Sequence, residues 1–469
     1  MSQNPPPHPR LRRCAVLAAS LLLIGPADLQ VPSARAAIPG GPIAVGGPSF
    51  GISGTPMTWN PAMPIQYRVD PGPMAVSPFT GAVVIDNATG IYRVGQMFGT
   101  WTSVPTAALS TNYAGALLPS GAYPGGPVAN GGLAAFNAVL QSCDNGVQSS
   151  VIFDPEGNLF SQLGLPSDVI GFAGPCAVDT SSGYLQSALL ALNGNFQNGV
   201  YQISTNEFNQ AITHEIGHLL GLDHSQINVD VLKTPGNCNT ANDEVAGLPI
   251  MFPYLICQAR VTSELPPLAP DDAAWISRLY PVSTPAPGKT VTSSAYGTIS
   301  GTIYFSDGIT AAQGVNVIAR STTDPLGVAF SAVSGYLFTG NPGQSVTCAL
   351  GGSECNTVGS RRGSRDTRLI GTFYIPALPG TYTIQIESID SQFAGGSSVG
   401  PLRRPIPMPG TAPAPPPQVT VTAGGSQSVT IILVGTPPRF DSFETTELWA
   451  PDSSSLWQRR QELLQVRAR

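Results

Sequence analysis

Charge is scarce in this chain. Only 11% of its 469 residues are Asp, Glu, Lys or Arg, against about 25% in an ordinary soluble domain. The 28 acidic and 22 basic residues leave a net charge of −6, and neither sign forms a block. A basic face is therefore missing, and with it the footprint of a nucleic-acid binder. Repeats of solenoid length are missing too. Beyond the N-terminal segment no apolar run approaches the roughly 20 residues that a membrane span needs. Histidine is the scarcest chemistry-bearing type, with four in all. Three of those four fall between positions 214 and 224. What the chain has in quantity is glycine (52) and proline (46). That balance favours β-rich, loop-rich architecture over helical bundles, and the length implies two or three domains.

Residues 1–36 read as an export signal. Arg10, Arg12 and Arg13 precede the apolar run from Ala15 to Ile24, and Ala34-Arg35-Ala36 offers a small-x-small cleavage site. The expected location is extracellular, with no transmembrane segment in the mature chain. Of the seven cysteines, Cys14 lies in that signal. Cys143, Cys176, Cys238, Cys257, Cys348 and Cys355 remain, and an even set in an exported chain implies disulfides. Pairing of neighbours (Cys143–Cys176, Cys238–Cys257, Cys348–Cys355) is the simplest connectivity, though not the only one.

Residues 37–55 form a Gly/Pro-rich lead-in, and a domain follows over 56–280. Ile65 to Val69 alternates like a strand. Val83 to Trp101 carries apolar residues at roughly helical spacing, and Leu133 to Leu140 reads as a second short helix. Ser150 to Phe153 and Val169 to Ala173 read as strands, and Leu185 to Leu192 fits either type. Asp271 to Tyr280 reads as an amphipathic helix with Trp275, Ile276 and Leu279 inward. Residues 281–296 are a Pro/Thr/Ser linker. Seven strand patterns with Gly/Pro turns between 297 and 436 indicate a β-sandwich. Residues 437–469 are a polar tail with a short helical pattern from Ser455 to Val466.

The chemistry concentrates in HEIGHLLGLDH, His214 to His224. Its helix begins at a capping box, Ser204 with Glu207, and stops at Gly221, a residue that tolerates a left-handed turn. Phe208, Ile212, Ile216 and Leu219 form one apolar stripe, and His214 and His218 fall on the opposite side. Two histidines at i and i+4 point the same way, so both rings can reach one tetrahedral zinc. Glu215 lies beside the first ligand, where it can take a proton from an attacking water. The turn at Gly221 brings His224 round as the third ligand, leaving a fourth position open, as a catalytic site requires. A closed structural site would need a fourth protein ligand; the only other histidine is His8, in the signal, which leaves a Cys or a carboxylate for that role.

This pattern resembles the metzincin clan of zinc peptidases over about Trp59 to Tyr280. Ile250-Met251-Phe252-Pro253 resembles the clan's methionine turn, with Met251 beneath the metal. Ser225 after the third histidine, and the helix from Asp271 to Tyr280, resemble the matrixin branch. Ile170, Gly171, Phe172 and Ala173 resemble the edge strand of the matrixin cleft, which implies backbone pairing with an extended peptide substrate. The implied fold is an α+β catalytic domain, a mixed twisted sheet with an active-site helix, followed by an all-β sandwich. The implied activity is endopeptidase hydrolysis of protein or peptide substrates by one catalytic Zn2+.

Departures from the clan pattern are informative. His224 and Met251 are 27 positions apart, longer than a compact matrixin would use, which implies an insertion at the cleft rim. Phe252 replaces the usual Tyr, and Tyr254 is one place late for a tyrosine ligand, so no tyrosine is expected on the metal. No cysteine lies between Ala37 and Asn130, so a cysteine-switch propeptide is absent. Asp154, Glu156 and Asp168 are candidates for Ca2+. The segments Gly297 to Ile303 and Gly371 to Ile384 resemble the carboxypeptidase regulatory-like, transthyretin-like module, which carries no catalytic constellation here. Its expected role is spacing, stability or surface and matrix attachment. The rival to an enzyme is a secreted zinc-binding adhesion protein on the same scaffold without useful catalysis.

Overall fold

The computed structural model describes residues 58–179, 182–222, 225, 227, 247–252, 267–312, 315–334, 371–387 and 413–435. It also gives the backbone of short strands at 12–13, 44–45, 55–56, 254–255 and 465–468. A mixed α+β unit comes first and a β-rich unit follows. Most of the expected export signal, and the tail before residue 465, lie outside the described residues.

The first unit is built on β1 (Ile65–Val69), β2 (Thr111–Ala116), β3 (Ser150–Asp154), β4 (Val169–Val178) and β5 (Leu185–Asn193). Their order is β4-β5-β3-β1-β2. All neighbours are parallel except β4, which runs antiparallel to β5. The ambiguous Leu185–Leu192 run is a strand because it is covered on both faces. Leu190 and Leu192 enter one apolar cluster while Leu189 and Ala191 enter another. That alternation is the two-residue period of a strand.

Helices fill the two faces. On one lie α1 (Asn87–Thr102) and α4 (Thr205–Leu219), packing Val94, Phe98, Trp101, Ile212 and Ile216 into the first cluster. On the other lies α2 (Val128–Asp144), whose Phe136, Val139 and Leu140 enter the second. The expected helix from Val83 starts four residues later. Val83–Ile85 is a short strand, and Asp86 then caps α1 by accepting from the Thr89 N–H at 2.8 Å. Cys143, near the end of α2, is bonded to Cys176 on β4, the first of the expected neighbour pairs. The other two expected pairs, Cys238–Cys257 and Cys348–Cys355, lie outside the described residues, as does Cys14.

The β-rich unit has seven strands in two sheets among the described residues. They are β6 (Gly297–Tyr304), β7 (Asn316–Ser321), β8 (Ala329–Val333), β9 (Thr372–Ala377), β10 (Gly380–Glu387), β11 (Gln418–Val421) and β12 (Ser426–Ile432). One sheet has the order β9-β6-β12 and the other β8-β7-β10-β11. Ile299, Ile303, Phe373 and Ile375 from the first meet Val317, Phe330, Tyr382 and Ile384 from the second in one apolar cluster. Burial alternates along Gly297–Ser300 at the start of β6, while every residue of β7 is buried; β-branched and aromatic residues suit both settings.

The segment read as a linker is pinned to the first unit. Lys289 Nζ donates to the carbonyls of Thr102, Val104 and Ala107 at 2.7, 3.0 and 2.8 Å. The N–H of Thr290 donates to Pro105 O at 2.7 Å, and Val282 is buried. Helix α5 (Pro270–Leu279) lies between the two units. Its Trp275 Nε1 donates to Ser331 O on β8 at 2.8 Å. The described apolar core runs without a break from one unit into the other.

Candidate metal centre

Helix α4 carries the centre, and its ends are fixed by the residues that the sequence singles out. Glu207 N–H donates to Ser204 Oγ at 3.2 Å, and Ser204 N–H donates back to Glu207 Oε2 at 2.8 Å. At the other end Gly221 has φ +95°. Leu222 N–H donates to Gly217 O and Gly221 N–H to His218 O, the paired bonds of a Schellman ending. Trp59 Nε1 holds Leu219 O at 2.9 Å, and Tyr280 Oη holds Leu220 O at 2.6 Å. Trp101 Nε1 holds Thr213 O at 2.8 Å. Three aromatic donors thus clamp the helix backbone on either side of His214–His218.

The Gly221 turn has a consequence one residue on. It carries Leu222 O to within 2.9 Å of His218 Nδ1. His214 Nδ1 lies 2.7 Å from Ile250 O. A carbonyl can only accept, so each Nδ1 bears the proton and each Nε2 presents a lone pair. Burial holds both rings neutral: it lowers the His214 pKa to about 4 and that of His218 well below its usual range, with His214 adding to the shift at His218.

The two Nε2 atoms face each other at 3.0 Å. Lone pairs at that distance repel unless a cation lies against both. Two nitrogens at about 2.0–2.1 Å from a tetrahedral zinc would be roughly 3.3 Å apart, within a few tenths of the separation found. The donor set therefore fits zinc. His214, Glu215 and His218 are buried (1%, 0% and 0% exposed), deeper than the solvent-open site expected from the motif. Helix α4 packs on α1, β4 and β5, and the strand Gln465–Ala468 also lies against it. His224 lies outside the described residues, between Leu222 and Ser225, which are both described and buried.

Met251 lies under the helix. A Cβ on Gly217 would collide with its thioether sulfur and would sit 3.0 Å from Cζ2 of Trp101. The turn carrying Met251 is held by Asp272, which sequence reasoning missed. Asp272 Oδ2 accepts from Ile250 N–H at 2.7 Å and from Ala269 N–H at 2.8 Å, and Oδ1 accepts from Met251 N–H at 3.2 Å. One carboxylate thus fixes Ile250, whose carbonyl fixes the His214 ring. Beside it, Asp271 is buried and its pKa is raised well above the usual range, by burial first and by Asp272 second. A pair of acidic residues opening a helix was visible in the sequence, but nothing there marked it as buried.

Ile170 to Ala173 lie on β4, which pairs with β5 through Gly171↔Leu192 and Ala173↔Leu190. Gly171 touches the centre: a Cβ there would meet Glu215 Cγ at 3.0 Å. The outer side of β4 is not bare. Residues 465–468 run antiparallel along it, with Val466 opposite Gly171 and Gln465 opposite Phe172. The same four-residue strand pairs in parallel with Tyr254–Leu255, just beyond the Met251 turn. Arg12–Arg13 pair further along β4, at Ala177 and Val178.

Of the carboxylates considered for calcium, Asp154 and Glu156 lie near each other and each already accepts from a donor of the protein. Asp154 is buried and accepts from the Phe160 N–H at 2.8 Å, at the start of the short helix α3 (Asn158–Gln162). Burial raises its pKa to about 6. Glu156 is engaged with Asn158 Nδ2 at 2.9 Å. Among the described residues no three His, Cys, Asp or Glu side chains come together as a further metal-holding group. No described helix is long and apolar enough to cross a membrane. No family model matches the chain, and no curated protein matches it.

Proposed function

We propose that this chain is an exported zinc-dependent endopeptidase of metzincin type, matrixin-like, with His214, His218 and His224 as ligands and Glu215 as general base. The observation that carries the reading is the convergence of two lone-pair-bearing Nε2 atoms at 3.0 Å, with Glu215 between them in sequence and buried beside them. The mixed sheet in which β4 runs antiparallel to β5, the methionine under Gly217 and the α5 helix behind it also support it.

Zinc held there would lower the pKa of its bound water toward roughly 7 and polarise the scissile carbonyl. Glu215 accepts a proton from the attacking water and returns it to the leaving amine. Its buried position beside Gly171 keeps bulk water from competing for that proton. The main chain of Ile170–Ala173 aligns an extended substrate by strand pairing. That this edge accepts an antiparallel strand of residues 465–468 supports a polypeptide as substrate.

A zinc-binding scaffold without turnover is the second reading, and the full burial of His214, Glu215 and His218 favours it. Glu215→Gln separates the two. The peptidase reading expects the variant to retain zinc and lose nearly all cleavage of casein or gelatin. Equal, chelator-insensitive cleavage by both proteins would overturn it, and no cleavage by either would leave the scaffold reading.

A further inference from the structure

We propose that the β-sandwich is a positioning element of the metal centre, bracing the loop that carries His224. The inference rests on His224 being the third ligand. Three contacts lead to it. Ser225, directly after His224, donates through Oγ to Asp271 Oδ2 at 2.9 Å, and its N–H donates to Met251 O at 2.9 Å. The other oxygen of Asp271 accepts from Ser331 N–H, on sandwich strand β8, at 2.9 Å. One buried carboxylate therefore joins the His224 loop to the sandwich, and Trp275 Nε1 closes the same junction on Ser331 O.

A second contact is apolar and independent of Asp271. Ile227, three residues after His224, is fully buried in a small cluster with Ile318 of β7 and Ala329 of β8. The third lies at the far end of the long insertion. Gly247 lies against the turn at Leu326 and Gly327 so closely that a Cβ would collide with Leu326 O. Both ends of the stretch between His224 and Met251 thus abut the sandwich. His224 is joined directly to Ser225 in the chain, so bracing Ser225 and Ile227 is the route by which the sandwich would act on the third ligand. An appended module would have no reason to bury a serine and an isoleucine of the ligand loop.

The test is zinc affinity, measured on the full chain by competition with a chromophoric chelator and independent of hydrolysis. Ser225→Ala cuts the loop from Asp271. Ile318→Ala removes sandwich packing from Ile227 without touching the first unit's own core. Both are expected to weaken zinc binding by about tenfold, the lower end of what loss of an outer-shell support does to a metal site. Ser225→Thr, which keeps the hydroxyl, is expected to restore affinity. A merely stabilising sandwich would lower the melting temperature of Ile318→Ala and leave zinc affinity unmoved. Wild-type affinity in folded Ser225→Ala and Ile318→Ala overturns the inference alone. Failure of the unaltered chain to bind zinc overturns both this and the peptidase reading. Zinc binding without cleavage overturns only the latter.

Discussion

Gly217 and Met251 are in direct contact across the underside of the histidine helix, with no room between them for a methyl group. Gly217 sits between the two ligand positions and is buried. Helix propensity alone would favour Ala there by up to about 1 kcal/mol. The collision with Met251 and Trp101 reverses that sign, since overpacking a buried site costs about 1–3 kcal/mol. Gly217→Ala is expected to lower the melting temperature and to weaken zinc retention together. Gly99, on the neighbouring helix α1, has nothing near its Cβ position, so Gly99→Ala serves as the control and should be neutral or slightly stabilising. Equal stability of the two variants would show that the contact is not restrictive.

Asp70 gives a prediction in pH. It is buried between the N–H groups of Gly72 and Val128, which its two oxygens accept at 2.8 and 3.1 Å. Desolvation nonetheless raises its pKa to about 7, with Asp154 adding a smaller push in the same direction. A carboxyl whose folded pKa exceeds its unfolded value contributes stability that is fully present below about pH 4. That contribution is lost as pH rises through about 7. The size at stake is on the order of 4 kcal/mol at most, shared with Asp154 and felt also at the Tyr123 hydroxyl. Asp70→Asn should therefore gain on the parent as pH rises from 4 to 8, read as the difference between their melting temperatures. A constant difference across that range would contradict the assignment.

The Cys143–Cys176 bond closes a loop with a sequence separation of 33. Chain-entropy arguments give such a cross-link about 4 kcal/mol. It joins the end of α2 to β4, the strand that also carries Gly171 against Glu215. Cys143→Ser with Cys176→Ser is expected to lower stability by a few kcal/mol in denaturant titration. A midpoint shift that is negligible under oxidising conditions would count against it.

At the centre, the features legible in the sequence were local ones. Ser204 with Glu207 and the glycine at 221 mark both ends of α4 within a residue, because caps and stops act over three or four positions. The seven strand patterns of the sandwich also lie where the observed strands do, because short runs rich in β-branched and aromatic residues between Gly/Pro turns are written in the sequence itself. The hidden features act over long separations. Asp272 steadies Met251 from 21 positions away, and Trp101 holds Thr213 across 112. A Pro/Ser/Thr composition reads as a linker, yet one lysine within it meets three carbonyls of the first unit. The helix expected from Val83 begins only at Asn87 because Asp86 caps the residues on its C-terminal side alone. An aspartate three residues before a threonine was the signal to weigh.

The strand at residues 465–468 supplies the last prediction. It lies on β4 antiparallel and on Tyr254–Leu255 in parallel, so it fills the backbone positions that an extended substrate would need beside Gly171 and Glu215. A segment tethered to its own site competes at an effective concentration on the order of millimolar. A peptide substrate must displace it before pairing with Ile170–Ala173. Removing residues 436–469 is therefore expected to lower the apparent KM for an extended peptide substrate while changing kcat less. A free peptide carrying the 465–468 sequence should then inhibit the shortened enzyme competitively. The sandwich strands end before residue 436, so among the described residues the deletion removes only the pairing and packing of this strand. An unchanged KM, with no inhibition by the added peptide, would mean that this strand does not compete with substrate.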